Sequence, residues 1–370
     1  MKIGFPRALH YFDFYPFWAG FFYNLGIELV TSQPTQRRIM ESGLKMAYDE
    51  TCLPIKLLVG HIGSLNNVDA VFLPRMVSVE EKTYLCPKLL GLPESILATV
   101  RPDLPVLTVT INWREGQSQV LKALEDLGTK LSREKSRIRK AFREGLKWQR
   151  VYEELRREGA DFQESLVLCQ QSFTSLPQDV SLRLLNHKKF SINKCNPTEN
   201  DGNPSENECN TEEIRPTIAL VGHAYLINEH YANLDLLNKL RVSANLKLIE
   251  EVEPEVVENS LNELRKKMFW SQAKRILGAG YSFVDDETIN GVIYLSCFGC
   301  GTDSMTQDML ARKAREMRKP YMVLTLDEHS GEAGLVTRVE AFLDMIERRM
   351  NHENNVSTHG ECLDSHSDAL

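Results

Sequence analysis

The chain does not open with an apolar leader. "MKIGFPRALHYF" holds one lysine, then proline and charge where an uninterrupted apolar segment would stand, so no secretory signal is expected. No window approaches the roughly 20 apolar residues that span a bilayer. Both absences lead to the expectation of a cytoplasmic protein without a membrane segment, a setting in which disulfides are rare and thiols serve as metal ligands or redox groups. Excess positive charge is also missing. A net charge of -7 argues against a general nucleic-acid binder. There is no G-x-x-x-x-G-K-[ST] phosphate loop, and "VGHAYLINEH" lacks the glycine-rich turn of a nucleotide site, so a nucleotide-binding regulator has little to rest on. No repeat of solenoid length occurs.

What is present suits two ordinary domains. The 370 residues are 42% hydrophobic and 26% charged. Short apolar runs alternate with amphipathic stretches. "KIGFP" (2–6), "IELVTS", "DAVFLP" (69–74) and "PVLTVTI" (105–111) read as strands, separated by helices at 14–26 and 35–50 and followed by one from about 117. The grammar repeats later, with strands at 217–223, "NLKLIE", "GVIYLSC" and 321–327, and helices at 232–242, from about 304 and near 334–350. The expectation is therefore an α/β protein with two Rossmann-like parallel-sheet domains and helices on both faces. The domain reading is 1–130 for the first, 131–185 for a helical connector, 186–215 for a flexible insertion rich in Asn, Glu, Pro and Ser, 216–350 for the second domain and 351–370 for a disordered tail. Within the connector, Ile138, Phe142, Tyr152 and Leu155 form an apolar stripe on a strongly basic helix. Its charged side is either a solvated face or a docking surface for an acidic partner.

Of eight cysteines, Cys195, Cys209 and Cys362 fall in the polar insertion and tail. Besides Cys169, four have a well-formed setting: Cys52 in "DETCLPIK", Cys86 in "YLCPK", and Cys297 and Cys300 in "SCFGCGTDS". Cys52 and Cys86 stand just before a proline or one residue away, which fixes the backbone beyond the thiol. Gly299 and Gly301 flank Cys300 and permit a bare, close approach. Thr302, Asp303 and Ser304 are positioned to cap the next helix, whose positive end would favour the thiolate. Lys56, Arg75, Lys82 and Lys88 would offset accumulated negative charge. Spacing alone leaves three readings open: unrelated buried thiols, a zinc site built on Cys297-x-x-Cys300, and dithiol redox chemistry.

Six blocks, "KIGFPRALHYFDFYPFW", "DETCLPIKLLVGHI", "PRMVSVEEKTYLCPK", "VGHAY", "SCFGCGTDS" and "TLDEHSGEAGLVTRVEAFLDM", resemble the acyl-CoA dehydratase activase-related proteins. That group is similar to the D-component of 2-hydroxyglutaryl-CoA dehydratase and to double-cubane cluster proteins. The resemblance runs from residue 1 to about 350, without the insertion and tail. It implies an iron–sulfur cluster, [4Fe-4S] or a bridged double cubane, held by Cys52, Cys86 and Cys300 between the two units, with Lys56, Arg75, Lys88, Gly299 and Gly301 around it. Three thiolates would leave one iron open for chemistry. Cys297 departs from the group's pattern: it is either a fourth ligand, which would close the cluster, or, as is expected, an inert thiol that points away along the strand end. Glu328 and His329 in "DEH", with His223 in "GHAY", are candidates for proton transfer, set against ordinary loop and cap roles. The resemblance further implies a homo- or heterodimer. It makes the chain a dehydratase-type component that accepts low-potential electrons from an ATP-dependent activase and reduces or dehydrates a small, CoA-linked substrate. The alternative is a non-catalytic cluster scaffold or carrier subunit.

Overall fold

The computed structural model describes residues 1–93, 96, 100–174 and 215–360. Cys195, Cys209, Cys362, the expected insertion and the end of the expected tail lie outside them. Two four-stranded sheets form the body, every strand pair parallel. The first has strands β1 (Lys2–Phe5), β2 (Glu28–Thr31), β3 (Ala70–Phe72) and β5 (Val106–Leu107), in the order β2-β1-β3-β5. The second has β7 (Thr217–Gly222), β8 (Asn245–Leu248), β9 (Gly291–Cys297) and β10 (Tyr321–Leu326), in the order β10-β9-β7-β8. Helices cover these sheets, so the expected α/β class with two Rossmann-like units is found. The apolar run at 105–111 is not one strand. It breaks after Leu107 and resumes as β6 (Thr110–Asn112), which pairs with β4 (Arg75–Ser78) in a separate two-stranded ladder.

The first unit is held by aromatic packing. Helix α1 (Tyr11–Asn24) presents Phe12, Trp18, Phe21 and Phe22, all nearly inaccessible to solvent. Trp18 meets Phe72 of β3 at a centroid separation of 4.6 Å, and Phe22 meets it at 5.0 Å. Each such buried ring contributes roughly 2 kcal/mol. Against the other side of α1 lies the long helix α6 (Lys135–Arg157), which follows α5 (Gln117–Lys130). The stripe of Ile138, Phe142, Tyr152 and Leu155 is buried, with Tyr152 Oη donating to Phe12 O. Helix α7 (Phe162–Thr174) packs beside α6.

Two helices at close quarters set the position of Cys52. Helix α2 (Arg37–Met46) crosses α3 (Leu53–Ser64) through Gly43 and Gly60. A Cβ on Gly43 would stand 2.1 Å from Lys56 O, and one on Gly60 would stand 2.1 Å from Ile39 O. Only glycine allows the two backbones to touch there. Helix α3 itself is apolar and buried almost throughout.

In the second unit, α8 (Ala224–Ile227), α9 (Leu236–Ser243), α10 (Pro254–Ser260), α11 (Ser271–Asp285) and α12 (Gly301–Glu316) connect and cover the strands. The closing helix α13 (Glu332–Gly360) extends into the segment expected to be disordered. No helix among the described residues is long and apolar enough to cross a membrane. The units are joined by specific bonds as well as apolar contact. Tyr84 N donates to Phe269 O, Ser271 N donates to Tyr84 O, and Thr35 Oγ1 donates to Glu229 Oε2 while also meeting His61 Nε2.

Candidate metal centre

In a parallel α/β unit the carboxyl ends of strands and the N-termini of the next helices share one edge. That rule gathers the thiols. Cys52 is the N-cap residue of α3, and Cys86 that of α4 (Pro87–Leu90). Cys300 is the N-cap of α12 and His223 the N-cap of α8. His223 follows β7 and Cys297 ends β9, and between those two adjacent strands the order of the second sheet reverses. The long helices α3 and α12 turn their positive ends toward their N-cap sulfurs.

Cys297 is part of this group, contrary to the expectation that it points away. Strand alternation puts Ile293, Leu295 and Cys297 on the face that packs into the large core shared with the first unit, and Val292 and Tyr294 on the other. The Cys297 and Cys52 side chains meet across the seam. The Cys297 thiol has Phe298 O at 3.3 Å, and the Cys52 sulfur becomes the stronger acceptor once it is ionised. Hydrogen bonding from Cys297 brings the Cys52 pKa down to about 7 against the opposing effect of burial, helped by the Ile55 backbone N–H and by Lys88. The same contact raises the Cys297 thiol, with burial adding to it. Cys86 is raised by burial and by its nearness to Cys300 and Cys52. Four sulfurs therefore share one neighbourhood. The fifth described cysteine, Cys169, is buried elsewhere, donating to Trp148 O, with burial pushing its pKa up to about 12.

Behind Cys300 lies a fully enclosed acid–base pair. His223 and Asp303 are 3% and 1% exposed, and His223 Nε2 is 3.1 Å from Asp303 Oδ1. The contact is close enough for charge attraction but not aligned as a hydrogen bond, and both ring nitrogens are buried without an aligned partner. Burial works against the imidazolium, but Asp303 and Cys300 outweigh it and hold the His223 pKa well above the usual value. Asp303 is shifted down by His223 despite its own burial. A ligand nitrogen, the Cys300 sulfur and an Asp303 oxygen all lie within 4.8 Å of one another. Tyr225 stacks on the imidazole at 4.6 Å.

The expected capping by Thr302, Asp303 and Ser304 is not what forms. The helix starts at Gly301, earlier than 304, so these residues fall inside its first turn. Asp303 turns inward and accepts from Tyr294 Oη and Cys297 N, while Thr302 Oγ1 stands 3.2 Å from Cys300 Sγ. Sequence reasoning missed this role of Asp303, because nothing in "GCGTDS" distinguishes a capping aspartate from one that faces back onto its strand.

The cationic and acid candidates divide. Lys56, buried on α3, donates to Glu328 Oε1 at 2.5 Å and joins the two units. That ion pair occupies Glu328, which Lys56 holds below the ordinary carboxylate range although burial opposes it. Lys88 Nζ donates to Gly299 O at 3.2 Å, a second tie across the seam. Gly299 has φ +77°, the left-handed turn that its sequence position suggested, and neither it nor Gly301 has any atom within 4 Å of a would-be Cβ. Arg75 stands on β4, its N–H bonded to Val109 O, and Lys82 is exposed in the following turn. His329 is exposed. Its backbone N–H bonds Asp327 Oδ1, which also accepts from Ser330, so Asp327 organises the loop.

Two parallel α/β units that pool helix N-cap thiols at their shared edge define a thiol-rich, two-unit scaffold. Residues 2–252 match the family model described as CoA enzyme activase uncharacterised domain, and the chain belongs to that family. The match takes in Cys52, Cys86 and His223 and stops short of Cys297 and Cys300. No curated protein matches the chain. Family membership corrects the expected activity. It points to the activase and not to the dehydratase-type component that receives electrons, and the expectation of an activase as the chain's own electron donor falls with it.

Proposed function

We propose that this chain is an activase-side component of a CoA-dependent enzyme system, holding an iron–sulfur cluster at the junction of its two units and serving a dehydratase-type partner. The observation that carries the reading is the gathering of Cys52, Cys86, Cys297 and Cys300 from three separate segments at one edge, with Cys52 in contact with Cys297 and Cys86 close to Cys300. The donor set fits such a group, since soft thiolates near helix N-termini favour iron–sulfur ligation. Cys52, Cys86 and Cys300 would hold it, with Cys297 as the fourth sulfur; when bound, it supplies one-electron transfer. Around it, the residues of the chain have distinct tasks. Lys88 adds positive charge beside Cys52 and fastens the Gly299 turn. The Lys56–Glu328 pair keeps the two halves of the thiol set in register. His223, charged against Asp303, offsets thiolate charge from the buried side.

A second reading is favoured by one observation, the convergence of Cys300, His223 and Asp303 within 4.8 Å, which suits a single borderline ion such as zinc. One experiment tests both. The full chain is reconstituted under argon with iron and sulfide, or with zinc, and bound iron, sulfide and zinc are quantified. The cluster reading expects iron and acid-labile sulfide together with visible charge-transfer absorption. Cys52→Ser, Cys86→Ser and Cys300→Ser should each lose most of it, and Cys169→Ala should keep it. Zinc bound without sulfide, lost in His223→Ala but kept in Cys86→Ser, would replace the cluster with the single-ion site.

A further inference from the structure

A cavity of about 230 Å³ is enclosed by α1, α5, α6 and the β4–β6 ladder, and none of the seam thiols lines it. The most covered part of its lining is Trp18, Met76, Ile111 and Val120, each at most 3% exposed. Half-buried Phe14, Val79, Trp113 and Leu146, together with Phe17, complete an apolar wall. Phe17 and Trp18 meet edge to face at 4.8 Å, and Trp113 stacks on Phe142 at 6.4 Å, so these rings are fixed by their neighbours. Interiors are packed as densely as organic crystals, and side chains that face an open space forgo contacts they would otherwise make. An apolar cavity of about 150 Å³ is already enough to stay dry and admit a benzene ring.

The polar side chains of the lining leave that apolar character intact. Gln149 is spent within the protein: its Oε1 accepts from Phe17 N, and its Nε2 donates to Asp13 O and to Glu153 Oε1. The Trp18 N–H has no partner, but it is wholly covered and reaches no occupant. Arg150 and Glu153, three residues apart on α6, are exposed charges of opposite sign that keep their own water. A carboxylate or ammonium drawn into this space would shed its hydration and meet no buried counter-charge, whereas a hydrocarbon ring carries no such cost. We propose that this cavity binds a small uncharged apolar molecule of one or two fused rings, packed among the Phe14, Phe17, Trp18 and Trp113 rings. Offset and edge-to-face contacts with those rings add to the burial of the guest.

The test is a fluorine NMR titration of the full chain without added metal, so its outcome is independent of the thiol centre. Fluorobenzene is the uncharged probe, with 4-fluorobenzoate and 4-fluorobenzylamine as analogues of similar size that carry an anion and a cation. Fluorobenzene should bind saturably at one site per chain and be displaced by naphthalene, and each charged analogue should be at least tenfold weaker. Leu146→Trp, at a half-buried wall position, should fill the space and weaken fluorobenzene at least tenfold without lowering the thermal midpoint. Phe14→Ala, which removes one ring from the wall, should weaken it several-fold and keeps the test decisive if the tryptophan variant misfolds. No saturable fluorobenzene signal, equal affinity for the charged analogues, or affinity untouched by both substitutions overturns the proposal.

Discussion

At His10 the imidazole is enclosed without a hydrogen-bond partner on either nitrogen, its ring against Phe14 at 6.0 Å. Burial pushes its pKa down to about 4 from an ordinary 6.5. The unfolded chain therefore takes up a proton at His10 before the folded one does. Stability from this site is whole above pH 6.5, declines as pH falls and is fully lost below about pH 4. The loss is worth about 3 kcal/mol at roughly 1.4 kcal/mol per pKa unit. His61, held neutral by burial and bonded to Ser32 and Thr35, contributes with the same sign. Urea midpoints measured between pH 7 and pH 4 should fall steeply in the wild type and less steeply in His10→Phe. An unchanged slope in that variant would assign the acid sensitivity elsewhere. Residues of this kind are invisible in the sequence, since "ALHYF" does not say whether its histidine faces water. Cys297 was only half legible. Counting alternation along "GVIYLSC" puts Cys297 on the same face as Ile293 and Leu295, but both faces of the strand are buried, so the sequence did not say which face meets the first unit.

Helix α3 delivers both Cys52 and Lys56, and its height relative to the sheet is set by the Gly43–Gly60 contact with α2. Gly43→Ala should force the helices apart and destabilise the protein by about 1–3 kcal/mol. Since the displaced helix carries Cys52, metal uptake should fall even at temperatures where the variant remains folded. Titrating iron and sulfide into Gly43→Ala beside wild type, with urea unfolding of both, checks the two effects. Full uptake in a destabilised variant would separate helix position from the thiol site. Strand and helix identities were mostly readable, because parallel sheets buried on both faces leave continuous apolar runs such as "VIYLSC" and "TIALVG". The break after Leu107 was not readable. Nothing in "PVLTVTI" marks where one ladder stops and another starts, a choice made by the partner strand β4 and not by local propensity. The buried direction of Lys56 was equally hidden, since α3 has no polar face from which to judge it.

Across the whole molecule, the first unit and the second contribute different thiols to one place, so occupancy of the proposed centre would be linked to inter-unit docking. Anything bound to the assembled seam and not to the separate halves stabilises by RT ln(1 + [L]/Kd), about 2.7 kcal/mol at a hundredfold excess over Kd. Melting under argon should therefore shift upward by several degrees on loading with iron and sulfide, and Cys86→Ser should abolish the shift. An equal shift in Cys86→Ser would locate the stabilising event outside the thiol set. The spread of these thiols along the chain also bears on biogenesis. Cys52 and Cys86 leave the ribosome roughly two hundred residues ahead of Cys300, an interval of about 10–40 s at ordinary synthesis rates. During that time the nascent first unit displays unmatched sulfurs to the cell, so loading of the proposed centre would belong to the period after translation, and shielding of those sulfurs to the period before it.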